Sequence, residues 1–358
     1  MKKNKYVVYW LLTGCFLIFV MVLVGGITRL THSGLSISDY KLIQGTIPPM
    51  NEQEWQEAFE LYKQYPEYQK LNNHFGIEEF KDIYFWEWLH RVIGRFIGVV
   101  FMIPFFYFLV TKKLDKPTIK KCLILLFMGG FQGFLGWYMV KSGLVDRPDV
   151  SHFRLAAHLT TAFLTFAYSL WVALDLIYPE RKKINKNIRN LVRAGLVILL
   201  LQIIWGAFVA GLDAGFIHNH WPLMSEGKLI HQTVYIEQQP VIKNFFEGKS
   251  GVQFVHRYLA YLVVGFIEGK SGVQFVHRYL AYIVVGFIAL IWFKTRKITT
   301  TPLQEKGLKV LLALVLLQFL LGVLTLIYAV PLWLGIAHQI GAFFLLAAMT
   351  FALHRFAK

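Results

Sequence analysis

Four histidines stand at equivalent places in four long apolar segments of the sequence. Each lies about one to two helical turns inside its segment. A single histidine in such a segment is more often a packed, hydrogen-bonded residue than a ligand, but polar side chains are costly in hydrocarbon and tend to mark function. Four at one depth therefore indicate a common chemical role. They are His90, His158, His277 and His338.

The chemistry of imidazole suggests what that role is. A neutral imidazole is an axial ligand for heme iron, and facing helices of a bundle can supply two of them. The paired Glu-x-x-His pattern of di-iron bundles does not occur in the chain, so a non-heme metal is less attractive. The sequence therefore predicts two bis-histidine heme sites.

One carboxylate stands close to this chemistry. Glu87 precedes His90 by three residues, and positions i and i+3 share a helix face. Glu87 could therefore act as an acid, a base or a nucleophile on whatever the histidine binds. Alternatively, it is a structural carboxylate paired with Arg91 or Arg95. The corresponding residue of the second half is Gln274, which suggests one reactive half and one half that holds a cofactor.

The composition predicts a protein that crosses a membrane several times. Of 358 residues, 56% are hydrophobic and 16% are charged, whereas soluble domains carry about 25% charged residues. The net charge of +16 lies between apolar runs, where lysine and arginine set topology, so we expect no nucleic-acid partner. Cys15 and Cys122 form no motif that predicts a disulfide or a thiolate metal site.

We predict an all-α integral membrane protein with eight transmembrane helices and both termini in the cytoplasm. Lysine and arginine gather before the first span and after the even-numbered spans, which is the positive-inside pattern. We expect no cleavable presequence, which favours a bacterial inner membrane. The spans are expected at 7–28, 83–110, 121–140, 153–177, 191–212, 272–293, 308–330 and 333–353.

Internal spacing predicts two pseudo-repeated four-helix bundles, residues 1–180 and 181–358. A glutamine followed four residues later by a glycine occurs in the third, fifth and seventh spans. The first half also has a long external segment, residues 29–82, in which Asn51 and Glu54 resemble the capping box of a short amphipathic helix. The residues that should share the buried face of this helix are Trp55, Ala58, Phe59 and Tyr62.

One segment of the second half is written twice. Residues 247–267 and 268–288 differ at one position, and each copy carries a histidine followed by an arginine. A ninth span would place the basic segment after the repeat outside the cell. In addition, His277 precedes Gln318 by 41 positions, close to the 42 of the first half. We therefore expect the second copy to span the membrane. His256 would be surplus, its copy being an external or interfacial amphipath, a re-entrant piece or a duplication artefact.

The chain contains the long stretches VGGITRLTHSGLSISDYKLIQGTIPPMNEQEW, EFKDIYFWEWLHRVIGR, QGFLGWYMVKSGL, HFRLAAHLTTAF and VQFVHRYLAY. These resemble the heme A synthase family, and the resemblance covers nearly the whole chain. It is closer to the branch of mitochondria and many Gram-negative bacteria. The Gram-positive branch has a cysteine pair in the first external segment, which residues 29–82 lack.

The resemblance implies an oxidoreductase that converts the C8 methyl group of heme O to a formyl group. The product, heme A, serves terminal oxidases, and the added oxygen is thought to come from water. By similarity, His90 and His158 would hold the substrate heme, with Glu87 as the catalytic carboxylate. His277 and His338 would ligate a resident heme b.

Two other functions stay open on the residues alone. A bis-histidine electron-transfer cytochrome would exchange electrons with quinone and would leave heme unmodified, and a heme transporter or chaperone would release it unchanged. For a synthase, the expected partners are heme O synthase, an electron acceptor such as quinone or a redox protein, membrane lipids and a second copy of the chain. Candidates to meet heme propionates are Arg29, Arg91, Arg154 and Arg278.

Overall fold

The computed structural model divides the chain into two compact units, Met1–Pro179 and Glu180–Lys358. Every regular element among the described residues is helical. The first tandem copy, residues 247–267, with its surplus His256, lies outside the described residues. Those residues are 5–37, 44–141, 143, 148, 150–179, 186–216 and 270–356.

Four long helices form the first unit, and two short helices lie in its external segment. Helix α1 packs against α4 and α6, and α5 packs against the same two helices, so the four close into a bundle. The helices are α1 (Lys5–Leu30), α2 (Glu52–Tyr62), α3 (Pro66–Lys70), α4 (Ile77–Val110), α5 (Lys116–Val140) and α6 (His152–Ile177).

The second unit has four long helices with the same order of neighbours. Helix α7 packs against α8 and α10, and α9 packs against the same two. This order makes α7 the counterpart of α1 and α8 the counterpart of α4. That the two halves are pseudo-repeats stays a prediction, which this order supports. The helices are α7 (Lys186–Gly211), α8 (Lys270–Thr295), α9 (Pro302–Ile327) and α10 (Leu332–Phe356).

Each of these eight long helices includes a stretch long and apolar enough to cross a membrane. For the part of the chain that the structure describes, the prediction of an all-α, multi-pass membrane protein with eight spans is confirmed. The largest differences from the predicted bounds are at α4 and α9, each of which begins six residues before its predicted span. In α4 the added residues have a clear role. Its first turn is amphipathic, because Phe80 is buried there while Glu78 and Glu79 are exposed. Glu79 accepts a hydrogen bond from the backbone nitrogen of Gly76 at 2.9 Å, which caps the extension.

The predicted amphipathic helix of the external segment is α2, and it packs on the start of α4. As expected, Asn51 is the N-cap and its side chain accepts from the backbone nitrogen of Glu54 at 2.9 Å. The Glu54 carboxylate returns to the backbone nitrogen of Met50, at 2.7 Å, instead of to that of the cap residue. The aromatic face of α2 forms one cluster with Phe80 and Ile83 of α4.

A buried polar group closes this cluster. The Tyr62 hydroxyl donates to the Glu67 carboxylate at 3.0 Å and accepts from the Asn72 amide at 2.9 Å. Burial and the nearby Glu67 carboxylate raise the pKa of Tyr62 well above its usual range. The phenol therefore stays neutral, and the external segment is tied down by packing and by satisfied hydrogen bonds.

We predict that Phe80→Ala releases α2 from α4. Phe80 is fully buried, and its ring centroid lies 5.1 Å from that of Tyr62 and 5.2 Å from that of Phe59. Loss of such a phenylalanine costs about 3–5 kcal/mol. Amide hydrogen exchange should therefore accelerate across α2. The matched control is Phe85→Ala, because Phe85 lies on the same helix and is 47% exposed. Equal exchange in the two variants would contradict this packing role.

Candidate functional site

Each of the four predicted histidines packs its imidazole against a glycine on the long helix that precedes its own. A methyl group on that glycine would come within 2.9–3.2 Å of the imidazole Cε1 atom, which is closer than ordinary van der Waals contact. Glycine is needed at these positions because the ring approaches the neighbouring backbone directly. The pairs are Gly25–His90, Gly136–His158, Gly206–His277 and Gly322–His338.

Three of these histidines also contact a glutamine that lies four residues before the glycine. The amide nitrogen donates to the backbone carbonyl of the histidine, at 2.9 Å from Gln132, 2.7 Å from Gln202 and 2.9 Å from Gln318. The same nitrogen lies 3.0–3.2 Å from imidazole Nδ1 and 3.4–3.5 Å from Nε2, so it rests against the ring between its two nitrogens. One amide thus positions both the backbone and the ring. The pairs are Gln132–His158, Gln202–His277 and Gln318–His338.

The structure brings His277 and His338 together within the second unit. Their ring centroids are 6.1 Å apart, and their planes are inclined by 83°. Two imidazoles on facing helices at this separation are a donor set that could hold one heme iron between them. Both rings are partly buried. Within the described part of the chain, no cluster of three or more His, Cys, Asp or Glu could hold a metal ion.

In the first unit, His90 lies on α4 and His158 on α6, each against a glycine of the preceding long helix. Their surroundings differ. Met21 lies on α1, four residues before Gly25. On the corresponding helices that contact the other three histidines, this position is a glutamine. The Nδ1 atom of His90 is buried and has no hydrogen-bond partner among the described residues.

Glu87 is buried on α4, with 3% of its surface exposed, and three donors hold its carboxylate. Its Oε2 atom accepts from the Ser36 hydroxyl at 2.7 Å and from the backbone nitrogen of Ile37 at 2.8 Å. Its Oε1 atom accepts from Arg91 Nη2 at 2.5 Å. Arg91 also donates to the Ile37 carbonyl at 2.7 Å. The carboxylate is therefore fixed between α4 and the start of the external segment.

This geometry is compatible with both interpretations of Glu87. The ion pair with Arg91 is the contact that a structural role requires, whereas Arg95 instead donates to the Gly45 carbonyl at 3.1 Å. A catalytic role needs a carboxylate held in place near the ligand. The same contacts provide that, because they fix Glu87 about one turn before His90.

The arginines considered for propionates have protein contacts of their own. Arg91 is engaged by the ion pair just described. Arg154 donates to the Tyr138 carbonyl at 2.7 Å, and its guanidinium lies 3.7 Å from the centroid of the Tyr138 ring. Arg29 Nη1 lies 3.3 Å from His32 Nδ1. Propionate binding by any of them stays a prediction.

Sequence reasoning missed several features of the site. The regular spacing showed that Gln132, Gln202 and Gln318 are equivalent, but it did not predict their contacts with the histidines. Gly25 is the packing partner of His90, and the available signal was its place four residues after Met21, where a methionine interrupts the glutamine–glycine pattern. The contacts of Glu87 with Ser36 and Ile37 join positions about 50 residues apart, and nothing in the local sequence indicates them.

Comparison with known proteins identifies the family. A family model described as cytochrome oxidase assembly protein, COX15-CtaA, matches residues 8–269 and 264–350. Together the two matches cover most of the chain. They overlap at residues 264–269, at the junction of the tandem copies 247–267 and 268–288.

Relatives along the full chain carry the name heme A synthase. That of Flavobacterium johnsoniae is 59% identical over 100% of this chain and 99% of the relative. That of Flavobacterium psychrophilum is 58% identical over 100% of both. The relative from Parvibaculum lavamentivorans is 41% identical over 99% of this chain and 96% of its own length. The chain therefore belongs to the cytochrome oxidase assembly protein family, COX15-CtaA.

Proposed function

We propose that this protein is a heme A synthase, an oxidoreductase that converts the C8 methyl group of heme O to a formyl group and so supplies heme A to terminal oxidases. One observation carries the proposal. Both units hold histidines on glycines of a neighbouring helix, but the first places buried Glu87 about one turn before its histidine, where the second has Gln274. The unequal halves fit one reactive site and one cofactor site. The name shared by relatives at 58–59% identity supports the same function.

The two units would have different tasks. In the second, His277 and His338 would hold a resident heme b, and Gln202 and Gln318 would position them. In the first, His90 and His158 would hold the heme O substrate. When bound, heme b supplies one-electron transfer, with a potential set by its ligands and its burial. A farnesylated porphyrin is itself apolar, which suits a site between membrane helices.

The proposed oxidation turns the methyl group and one water into a formyl group, four protons and four electrons. Glu87 Oε1 would accept protons at this site, replacing its hydrogen bond from Arg91. The guanidinium can stay in place meanwhile, because it also donates to the Ile37 carbonyl. The electrons would pass to a quinone or a redox protein.

We also propose the cellular setting. The protein would lie in a bacterial inner membrane with both termini in the cytoplasm, since the basic residues gather at that side of the predicted topology. Heme O would reach the site through the membrane, supplied by heme O synthase. The protein would act as a homo-oligomer. Membrane lipids would surround the long helices whether the protein is a monomer or an oligomer.

The function is tested by extracting and chromatographing the hemes of the protein purified from a host that makes heme O. We predict heme A, or its hydroxylated precursor, beside heme b in the natural protein. Glu87→Gln and Glu87→Ala should keep heme b and lose conversion by at least about a hundredfold, as for loss of a general acid or base. The matched control is Glu79→Gln on the same helix, which keeps its helix cap and should convert normally.

Two outcomes would contradict this account. Heme b alone in the natural protein, with heme O available, would reject the synthase function. Normal conversion by Glu87→Gln, together with loss of heme by Glu87→Ala, would mean that the carboxylate only holds Ser36 and Ile37 in place. The glutamine keeps an accepting oxygen but cannot take up a proton.

We predict that deletion of residues 247–267 preserves or improves the heme b content. His277, in the second copy, already contacts Gln202 and faces His338, so the first copy is not needed for the site. The heme-to-protein ratio of the purified deletion variant measures this. His277→Ala should lose heme b, and His256→Ala should keep it. Loss of heme b on deletion, or in His256→Ala alone, would show that the first copy supplies the ligand.

We predict that Gly322→Ala lowers the heme b content, because the added methyl would lie 2.9 Å from His338 Cε1 and push the ring from its position. The matched control is Gly286→Ala in the same unit, where the new carbon meets nothing within 4 Å. Absorption spectroscopy of both purified variants gives the heme-to-protein ratio. A full complement of heme in Gly322→Ala would show that the close approach is dispensable.

A further inference from the structure

We propose that the glutamines decide which heme is retained and which is exchanged. Gln202 and Gln318 would lock both ligands of the resident heme, whereas Met21, at the place of a fourth glutamine, leaves His90 as the ligand that opens when a heme enters or leaves. The inference deepens the proposed function and rests on it in one respect, the assignment of substrate heme to the first unit.

Met21 is the counterpart of Gln202. Helix α1 packs on α4 as α7 packs on α8. In the second unit, Gln202 lies four residues before the glycine that contacts His277, and in the first unit Met21 lies four residues before Gly25. Four residues correspond to about one turn, so in each helix both residues face the histidine-bearing neighbour.

The Met21 side chain does face α4. Its terminal methyl carbon lies 3.2 Å from the position of a Cβ atom on Gly94, which is one helical turn after His90. A backbone carbonyl points toward the following turn of its helix, so Met21 lies beside the region that the His90 carbonyl faces. A glutamine there could donate to that carbonyl as the other three do, but a thioether has no proton to donate.

The consequence for His90 is visible in the hydrogen bonding. Its Nδ1 atom is buried and has no hydrogen-bond partner among the described residues. His158, its presumed partner ligand, is held by Gln132 at both carbonyl and ring. The first unit therefore combines an imidazole that is held by a glutamine with one that packs against Gly25 and, among the described residues, has no hydrogen-bond partner at Nδ1. Loss of an outer hydrogen-bond partner typically weakens metal binding by about 10–100-fold.

The movement would belong to the ring and not to the helix. On the same stretch of α4, Glu87 binds Ser36 and Ile37, and Arg91 binds Ile37. These contacts hold the backbone of the turn that carries His90. A substrate site must admit one heme and release another, and a side chain that can rotate on a fixed helix permits this without unfolding the bundle.

The test installs the missing amide. Met21→Gln is compared with Met21→Leu, which matches its bulk without a donor. Both are made in the full chain with His277→Ala and His338→Ala, so that only the first unit binds heme. The protein is loaded with hemin, and transfer to excess apomyoglobin is followed by absorbance. We expect Met21→Gln to release hemin about two- to tenfold more slowly than Met21→Leu, as one added hydrogen bond gives.

The electron paramagnetic resonance spectrum provides a second readout. If the new amide holds His90, the low-spin ferric signal should sharpen and shift in Met21→Gln, because ring orientation is fixed, and it should not do so in Met21→Leu. A general change in stability would not move this signal. Equal release rates and equal spectra in the two variants would overturn the inference.

The reciprocal change guards against a folding defect. Gln202→Met, in the otherwise natural chain, should release heme b faster by a similar factor, and an unchanged rate would also overturn the inference. Both measurements use heme b or hemin, so neither depends on conversion of heme O. Slower release in Met21→Gln with no heme A from the natural protein would reject the proposed function and leave the exchange mechanism standing.

Discussion

An imidazole can lie directly against a neighbouring helix only where that helix has no side chain. At Gly25, Gly136, Gly206 and Gly322 an added methyl would crowd the ring. The ring thus takes the space of the missing side chain and sets how closely the two helices approach. Because all four histidines use this contact, the histidine positions follow from four helix pairings: α1 with α4, α5 with α6, α7 with α8, and α9 with α10.

In addition to the packing of each imidazole against a glycine, three glutamines make hydrogen bonds with the histidines. Inside a membrane protein an unpaired amide or imidazole is costly, so a glutamine and a histidine that bond each other reduce the cost of both. The satisfaction is partial, because the amide oxygens of Gln132, Gln202 and Gln318 are buried and have no hydrogen-bond partner among the described residues. In each of these glutamines the amide nitrogen therefore makes the hydrogen bond that positions the histidine. Such incompletely satisfied groups are what one expects where position matters more than stability.

Much of this arrangement could be predicted from the sequence, and the failures have physical reasons. Apolar length and the distribution of basic residues give the eight spans, and regular spacing shows that Gln132, Gln202 and Gln318 are equivalent, although not that each contacts a histidine. Gly25 was missed because Met21 breaks the repeating pattern, which is the same substitution that sets His90 apart. The early start of α4 was missed because its first turn is stabilised by Phe80 packing on the external segment, and an apolar-run criterion does not detect an amphipathic turn.

The external segment and the first histidine are joined through a single helix. Phe80 fixes α2 to the first turns of α4, and a few residues later Glu87 and Arg91 fix Ser36 and Ile37 to it. The backbone of this helix is thus held from outside while the ring of His90 has the fewest constraints of the four. This helix therefore carries a carboxylate, Glu87, that is fixed by three donors, and within one turn of it a histidine that lacks the glutamine contact of the other three.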